Sequence, residues 1–318
     1  MGISCFYVFY GQIMTEKNNL PQAVLFAGQG SQTKGMGRAL AEKFPEAMCL
    51  WKKAEKASGL GLRGIYWEGS EEEMADTAAL QPALTAVNLS IWNVAGLHPC
   101  GAAGHSLGEF SALGASGALS VNDVLRITAL RGKLMAQANG GAMAAIVKLA
   151  AGEVSALVDE AASETGKIAV CANFNTPLQT VVSGEKEAID LMCKKAREKK
   201  GRAIMLPVSG AFHSPMMAEA NREFLPALKK ADWHDPRFPI YCNVTGKAAR
   251  SGAELLESIG KQMVSPVLWV ETIRSMWADG ARKYMEIGPK AVLGKMVTQD
   301  LDESAHSEVE LVSVFAEE

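Results

Sequence analysis

Gly104-His105-Ser106-Leu107-Gly108 limits this chain more than any other segment. A short run from Pro99 to Gly104 enters it, and a helical pattern at Phe110 to Ala115 leaves it. A strand that turns at once into a helix, with glycine on both sides of a serine, has the form of a nucleophile elbow. The turn is too tight for flanking side chains, and the serine is left exposed. The same string also fits an ordinary glycine-rich turn, but the flanking strand and helix favour the elbow. Either way the chain must build a strand-turn-helix unit, which belongs to α/β architecture with a parallel sheet.

The rest of the chain alternates in the same manner. Ala23 to Ala27 reads as a buried strand broken by Gly28-Gln29-Gly30-Ser31-Gln32. Helical patterns follow at Met36 to Phe44 and Glu46 to Ala57, and Pro82 stands at a first helical position for a helix running to Ala95. Ser120, with Asp123 three residues on, caps a helix over Asn122 to Ala138. Residues 141–208 carry a pattern of their own: strands at Ala142 to Leu149, Lys167 to Ala172, Gln179 to Ser183 and Ala203 to Val208, with helices at Gly152 to Glu164 and Glu185 to Lys199. That βαββαβ order is the ferredoxin-like split unit. The larger pattern then resumes with a helix after Pro215, a strand at Pro239 to Val244, helices at Ala253 to Met263 and Pro266 to Ala278, and a strand at Lys283 to Ile287. The expected fold is an α/β-hydrolase-like large domain, residues 21–140 and 209–318, with a parallel sheet and an inserted ferredoxin-like small domain at 141–208. Residues 1–20 are expected to be a leader outside the fold. Their apolar run, Ile3 to Tyr10, is too short to span a membrane and lacks the flanks of a signal peptide.

Composition narrows the chemistry. With 32 Lys and Arg against 35 Asp and Glu, the net charge of −3 supplies no basic field for nucleic acid. Cys5, Cys49, Cys100, Cys171, Cys193 and Cys242 form no CxxC pair, and the five histidines form no HExxH or HxxxH pattern. No metal site, disulfide framework or membrane association is expected, and a reducing cytoplasm fits.

A serine nucleophile needs a base. His105 on the elbow would point away, and His98, His234 and His306 lie in loops or the acidic tail. His213, in Phe212-His213-Ser214-Pro215, stands where a strand ends and a helix begins, the usual address of catalytic groups on a parallel sheet. A capped loop histidine remains an equal reading there. Arg131 falls on the inward stripe of Val124, Ile127, Leu134 and Ala138. An arginine so placed needs an anion, either a structural salt-bridge partner or a carboxylate held bidentately in a dry site. Gly28-Gln29-Gly30 fails both the dinucleotide and the Walker fingerprints, because Thr33 occupies the third glycine position and no GK[ST] follows Gly35. It is either a simple tight turn or the source of a second oxyanion N–H from Gln29.

Taken in order, Gly28 to Gln32, Gln81-Pro82-Ala83, Gly104 to Glu109, Arg131-Gly132, Gly141-Ala142-Met143, Asn173-Phe174-Asn175, Phe212-His213-Ser214 and Glu286 to Pro289 resemble the malonyl-CoA:acyl-carrier-protein transacylase family. That family is related to the acyltransferase domains of polyketide synthases, and the resemblance covers residues 23–300. It implies Ser106 as nucleophile, His213 as base, and the N–H groups of Gln29 and Leu107 as oxyanion hole. It further implies Arg131 as the clamp on the malonyl carboxylate, with Phe212, Asn173 and Gln81 also at the substrate. The backbone carbonyl of Gln262 would orient His213 in place of a triad acid. Ala27 departs from the proline that many members carry before the glycine turn.

The resemblance also implies malonyl transfer from malonyl-CoA to the phosphopantetheine thiol of acyl carrier protein, in fatty acid biosynthesis, with no cofactor of the enzyme's own. The basic run Lys194, Lys195, Arg197, Lys199, Lys200 and Arg202 offers either a docking patch for an acidic carrier protein or a solvated helix face. A monomer is expected. The competing readings are a serine thioesterase or esterase on an α/β-hydrolase sheet, a trans-acting polyketide acyltransferase, and a non-catalytic docking protein on the same scaffold.

Overall fold

The computed structural model describes residues 4–7, 20–138, 140–208 and 210–315. Strands β1 (Ser4–Tyr7), β2 (Gln22–Phe26), β3 (Gly101–Gly104), β4 (Gly141–Val147), β5 (Ala169–Thr176), β6 (Gln179–Glu185) and β7 (Arg202–Met205) are followed by β8 (Ile240–Tyr241), β9 (Ala248–Ala249), β10 (Val267–Leu268), β11 (Lys283–Ile287) and β12 (Glu310–Phe315). They form two sheets. The larger runs β1-β12-β11-β2-β3-β8-β9, parallel throughout except for the β8–β9 hairpin.

Burial on both faces explains why β2 reads as a continuous apolar run. Val24 and Phe26 enter one core with Ala102, Ile240, Met285 and Val312. Ala23 and Leu25 enter the other with Ala103, Tyr241, Tyr284 and Leu311. Helix Thr77–Ala95 is buried along nearly its whole length and packs against helices Pro45–Ser58 and Val121–Gln137. At the last crossing a side chain on Gly132 would strike the backbone of Thr77 and Ala78, so only glycine permits that approach.

The second sheet runs β10-β5-β6-β4-β7. Its β7-β4-β6-β5 portion is antiparallel and has the order of the ferredoxin-like unit. Ala142, Ala144, Ile146 and Val182 pack beneath helices Ala151–Thr165 and Lys186–Glu198. Met143, Ala145 and Val181 face the opposite way and join the core of the larger sheet.

Several expectations give way to tertiary contacts. Ser4–Tyr7, set aside with the leader, pairs in parallel with β12 as an edge strand. The acidic tail contains β12 itself, whose Leu311, Val312, Ser313 and Val314 are buried in an unbroken run. Pro82 lies inside its helix rather than at the start. Asp76 accepts a hydrogen bond from the Ala78 N–H at 2.9 Å and caps the helix upstream. Pro266 to Leu268 is not helical, because β10 pairs with Asn173 and Phe174 of β5. The strand expected over Pro239 to Val244 is reduced to β8, since Cys242 and Gly246 close the β8–β9 hairpin.

Asp300 ends helix Gly294–Asp300, 1% exposed, and among the described residues neither carboxylate oxygen has a hydrogen-bond partner. Burial pushes its pKa up to about 8. Between the ordinary carboxyl range and that value, the folded protein keeps a proton that the unfolded chain has released. Asp300 therefore lowers stability as pH rises through the window. Asp300→Asn should flatten the decline of Tm between about pH 5 and about pH 8. An unchanged slope would show that Asp300 is ionised in the folded protein.

Candidate active site

Ser106 sits between the end of β3 and helix Gly108–Ser116 with φ of 50°, a left-handed conformation strained for a side-chain-bearing residue. Three glycines allow the turn to press against the end of β2. A side chain on Gly28 would meet the His105 carbonyl, one on Gly108 would meet the Phe26 and Ala27 carbonyls, and one on Gly104 would meet the Gly108 backbone. Asn243 straps the elbow. Its Oδ1 accepts from the Ser106 N–H at 2.7 Å, and its Nδ2 donates to the Gly104 carbonyl at 2.7 Å.

The Ser106 hydroxyl lies 2.7 Å from Nε2 of His213. Nδ1 of that ring is 3.0 Å from the Gln262 carbonyl and 3.1 Å from the Ser265 carbonyl. Carbonyls only accept, so Nδ1 carries the proton and Nε2 faces the serine with its lone pair. Burial and the Arg131 charge drive the His213 pKa down to about 3, which keeps the ring neutral at neutral pH. His105 turns elsewhere: its Nε2 is 2.8 Å from Oδ1 of Asn175 on β5, and its ring meets Trp269 edge-on.

Arg131 is 1% exposed. One guanidinium nitrogen, Nη1, donates to Gln81 Oε1 at 2.8 Å, and Nη2 donates to Gln262 Oε1 at 3.0 Å and Ser106 Oγ at 3.3 Å. The Phe110 ring lies 5.3 Å from its central carbon. Every one of these partners is neutral, and Nε has none among the described residues. Burial lowers the Arg131 pKa to about 10, still a cation at neutral pH.

A cavity of about 340 Å³ opens over this cluster between the two sheets. Ser106, His213, Arg131, Gln29, Leu107, Phe212 and Asn173 all line it, so the structure brings these expected site residues together. Gln81 is placed behind Arg131 and orients the guanidinium instead of facing the cavity. Met143 and Val181 supply an apolar wall from the second sheet. Sequence reasoning missed Asn243, read only as part of the strand over Pro239 to Val244, and Ser265, which contributes only a carbonyl. It also gave no role to Glu109, which is wholly buried and takes part in the hydrogen bonding beneath the serine. Among the described residues no cluster of His, Cys, Asp and Glu could hold a metal ion.

An elbow serine hydrogen-bonded to a neutral histidine is an arrangement suited to acyl chemistry on the serine hydroxyl, in transferases and hydrolases alike. The acyl transferase domain family matches residues 24–316, and the chain belongs to it. The malonyl CoA-acyl carrier protein transacylase of Bacillus subtilis is 37% identical over 282 residues, covering 86% of this chain and 89% of the relative. An acyl carrier protein S-malonyltransferase from Vibrio cholerae superposes with a TM-score of 0.85 at 32% identity, covering 92% of this chain and 96% of that one. A malonyl-transacylase solved in complex with its type II polyketide-synthase acyl-carrier protein superposes with a TM-score of 0.84 at 33% identity, covering 92% and 94%.

Removing the Asn243 side chain leaves the Ser106 N–H and the Gly104 carbonyl unpaired. Asn243→Ala should therefore cost about 1–3 kcal/mol in denaturant unfolding and slow acylation of Ser106. Wild-type stability in that variant would mean the elbow holds its shape without the strap.

Proposed function

We propose that this enzyme transfers the malonyl group of malonyl-CoA to the phosphopantetheine thiol of acyl carrier protein through a malonyl ester on Ser106. One observation carries the choice of acyl group: the buried Arg131 cation stands 3.3 Å from the nucleophile with only neutral partners among the described residues. A substrate that brings its own carboxylate would supply an anion in direct contact with the guanidinium. The names of the relatives agree with this reading.

Ser106 attacks the thioester carbonyl while His213 takes the hydroxyl proton. The N–H groups of Gln29 and Leu107 receive the negative charge that develops on the carbonyl oxygen. Collapse expels the CoA thiolate, which receives the proton from His213. The carrier-protein thiol then repeats the steps in reverse, giving a ping-pong cycle. Arg131 holds the malonyl carboxylate throughout, and Phe212 narrows the space beside it. No cofactor is required by this scheme.

We further assign the reaction to fatty acid biosynthesis in the cytoplasm, by a monomer built of the three segments read from the sequence, with Ser4–Tyr7 added as an edge strand. Free thiols at Cys49, Cys100, Cys171, Cys193 and Cys242 support a reducing compartment, and no described helix is long and apolar enough to cross a membrane. Lys195 is tied to Glu160 and Glu164 at 3.1 and 2.7 Å, so carrier-protein docking falls to the exposed Lys194, Arg197, Lys199, Lys200 and Arg202.

Intact-mass measurement after incubation with malonyl-CoA, without carrier protein, should show a malonyl adduct that is lost in Ser106→Ala and is not formed from acetyl-CoA. Release of free malonate without an adduct would instead support a thioesterase. In Arg131→Ala the preference for malonyl over acetyl should fall by about 2–5 kcal/mol, the scale for breaking a buried charge pair. Charge reversal at Lys194 and Lys199 should slow transfer to carrier protein and weaken its salt dependence, leaving adduct formation intact. An unaltered salt dependence would remove this patch from docking.

A further inference from the structure

Glu109 follows the elbow on the first turn of helix Gly108–Ser116, with none of its surface exposed. Its Oε2 accepts from Gln262 Nε2 at 2.6 Å, and its Oε1 accepts from the Asn243 N–H at 3.1 Å. Gln262 is joined to three other parts of the site. Its backbone carbonyl faces His213 Nδ1 at 3.0 Å, its Oε1 accepts from Arg131 Nη2 at 3.0 Å, and its Nε2 also donates to the Ser106 carbonyl at 2.9 Å. A guanidinium can only donate, so the amide oxygen must face Arg131. Both amide hydrogens are then committed to Glu109 and to Ser106.

We propose that Glu109 is a positioning residue that, as a carboxylate, locks the Gln262 amide and thereby holds Arg131, His213 and the Ser106 elbow in one productive arrangement. This rests on the reading of Ser106, His213 and Arg131 given above. Three donors meet Glu109, the Gln262 amide, the Asn243 N–H and the Cys242 thiol, so a proton on the carboxyl competes with their hydrogens for the same oxygens and weakens that set of bonds. The charged or titratable groups facing Glu109 are the Cys242 thiol, beyond β8, and Arg131, on helix Val121–Gln137. The Arg131 charge favours the carboxylate, whereas burial opposes it more strongly and pushes the Glu109 pKa up to about 7. Glu109 also supplies negative charge near Arg131 without occupying the guanidinium, which leaves Nε unengaged among the described residues.

The acid limb of malonyl loading therefore belongs to Glu109, because His213 titrates far lower, at about 3. The test is the pH profile of kcat/KM for malonyl-Ser106 formation in wild type, Glu109→Gln and Glu109→Asp. Wild type should lose rate on the acid side with a midpoint of about 7. Glu109→Gln should be slower by about tenfold or more above that midpoint and should show no acid limb. Glu109→Asp should restore part of the rate together with the limb. In the wild-type protein, the NMR resonance of the His213 Nδ1 proton should shift over the same pH range although the ring itself stays neutral. That measurement decides the matter if the variants do not fold. An acid limb that persists unchanged in Glu109→Gln, or a histidine resonance that does not move, would overturn the proposal. A malonyl adduct on Ser106 in the same samples shows that the proposed function stands even then, and its absence in wild type would count against the function itself.

Discussion

The site is organised around a guanidinium taken out of water without a carboxylate in contact with it. Burying such a charge costs several kcal/mol unless hydrogen bonds and counter-charge compensate, and Arg131 meets that cost in two ways. Gln81, Gln262 and the Ser106 hydroxyl accept its protons as neutral partners, and Glu109 provides negative charge from the far side of Gln262. A direct Arg131–Glu109 salt bridge would be a finished pair with little left for a ligand. Placing one amide between them keeps the cation solvated by the protein while reserving its strongest interaction for an incoming anion. Under the proposed function, selectivity for an acyl group with its own carboxylate would follow from that spacing.

The nucleophile depends on an equally strict constraint of contact. The elbow presses so closely on the end of β2 that Gly28, Gly104 and Gly108 could carry no side chain without striking backbone. Ser106 reaches its place at the cavity through a left-handed φ, and Asn243 holds the turn from the neighbouring strand connection. Because β8 lies next to β3, the residues after β8 arrive beneath the elbow as a consequence of sheet order. Asn243 thus ties the serine to the helix that ends at Gln262, through the Glu109 carboxylate that both of them contact.

Elements whose periodicity or glycine pattern is local were legible in the sequence. The elbow, β2, the βαββαβ order and the capped helix after Ser120 could be read because each depends on its own residues. Arg131 was legible as a charge on an apolar stripe, although its neutral surroundings were not. The pairing partners of Arg131 come from segments about 50 and 131 residues away, and no pattern announces them. Short β10 and the closing turn after β8 are likewise fixed by contacts with β5 and with each other, which override the helical and extended readings of those stretches. Gln81 shows the same limit at a single residue: the family resemblance implied a substrate contact, while its place behind Arg131 is set by helix packing. Glu109 was visible as the residue after the elbow, but only its complete burial gives it meaning.

The second sheet accounts for the enclosure of the site. One of its faces is covered by its own helices, and the other sends Met143, Ala145 and Val181 over the cavity. The chain leaves the larger sheet shortly after Arg131 and returns shortly before His213, so the inserted strands begin and end at the site they cover. Leu206, Pro207 and Val208 on the return path line the cavity directly before Phe212 and His213. His105 carries the register across the gap through Asn175 on β5, and Trp269, just after β10, packs against the same ring. An apolar wall of Met143, Ala145 and Val181 lowers the dielectric around the buried Arg131 cation, which strengthens its pull on an anion in the cavity. Arg131 and the Ser106 hydroxyl stand 3.3 Å apart, so under the proposed function the acyl chain between a carboxylate held by the one and an ester on the other must be short.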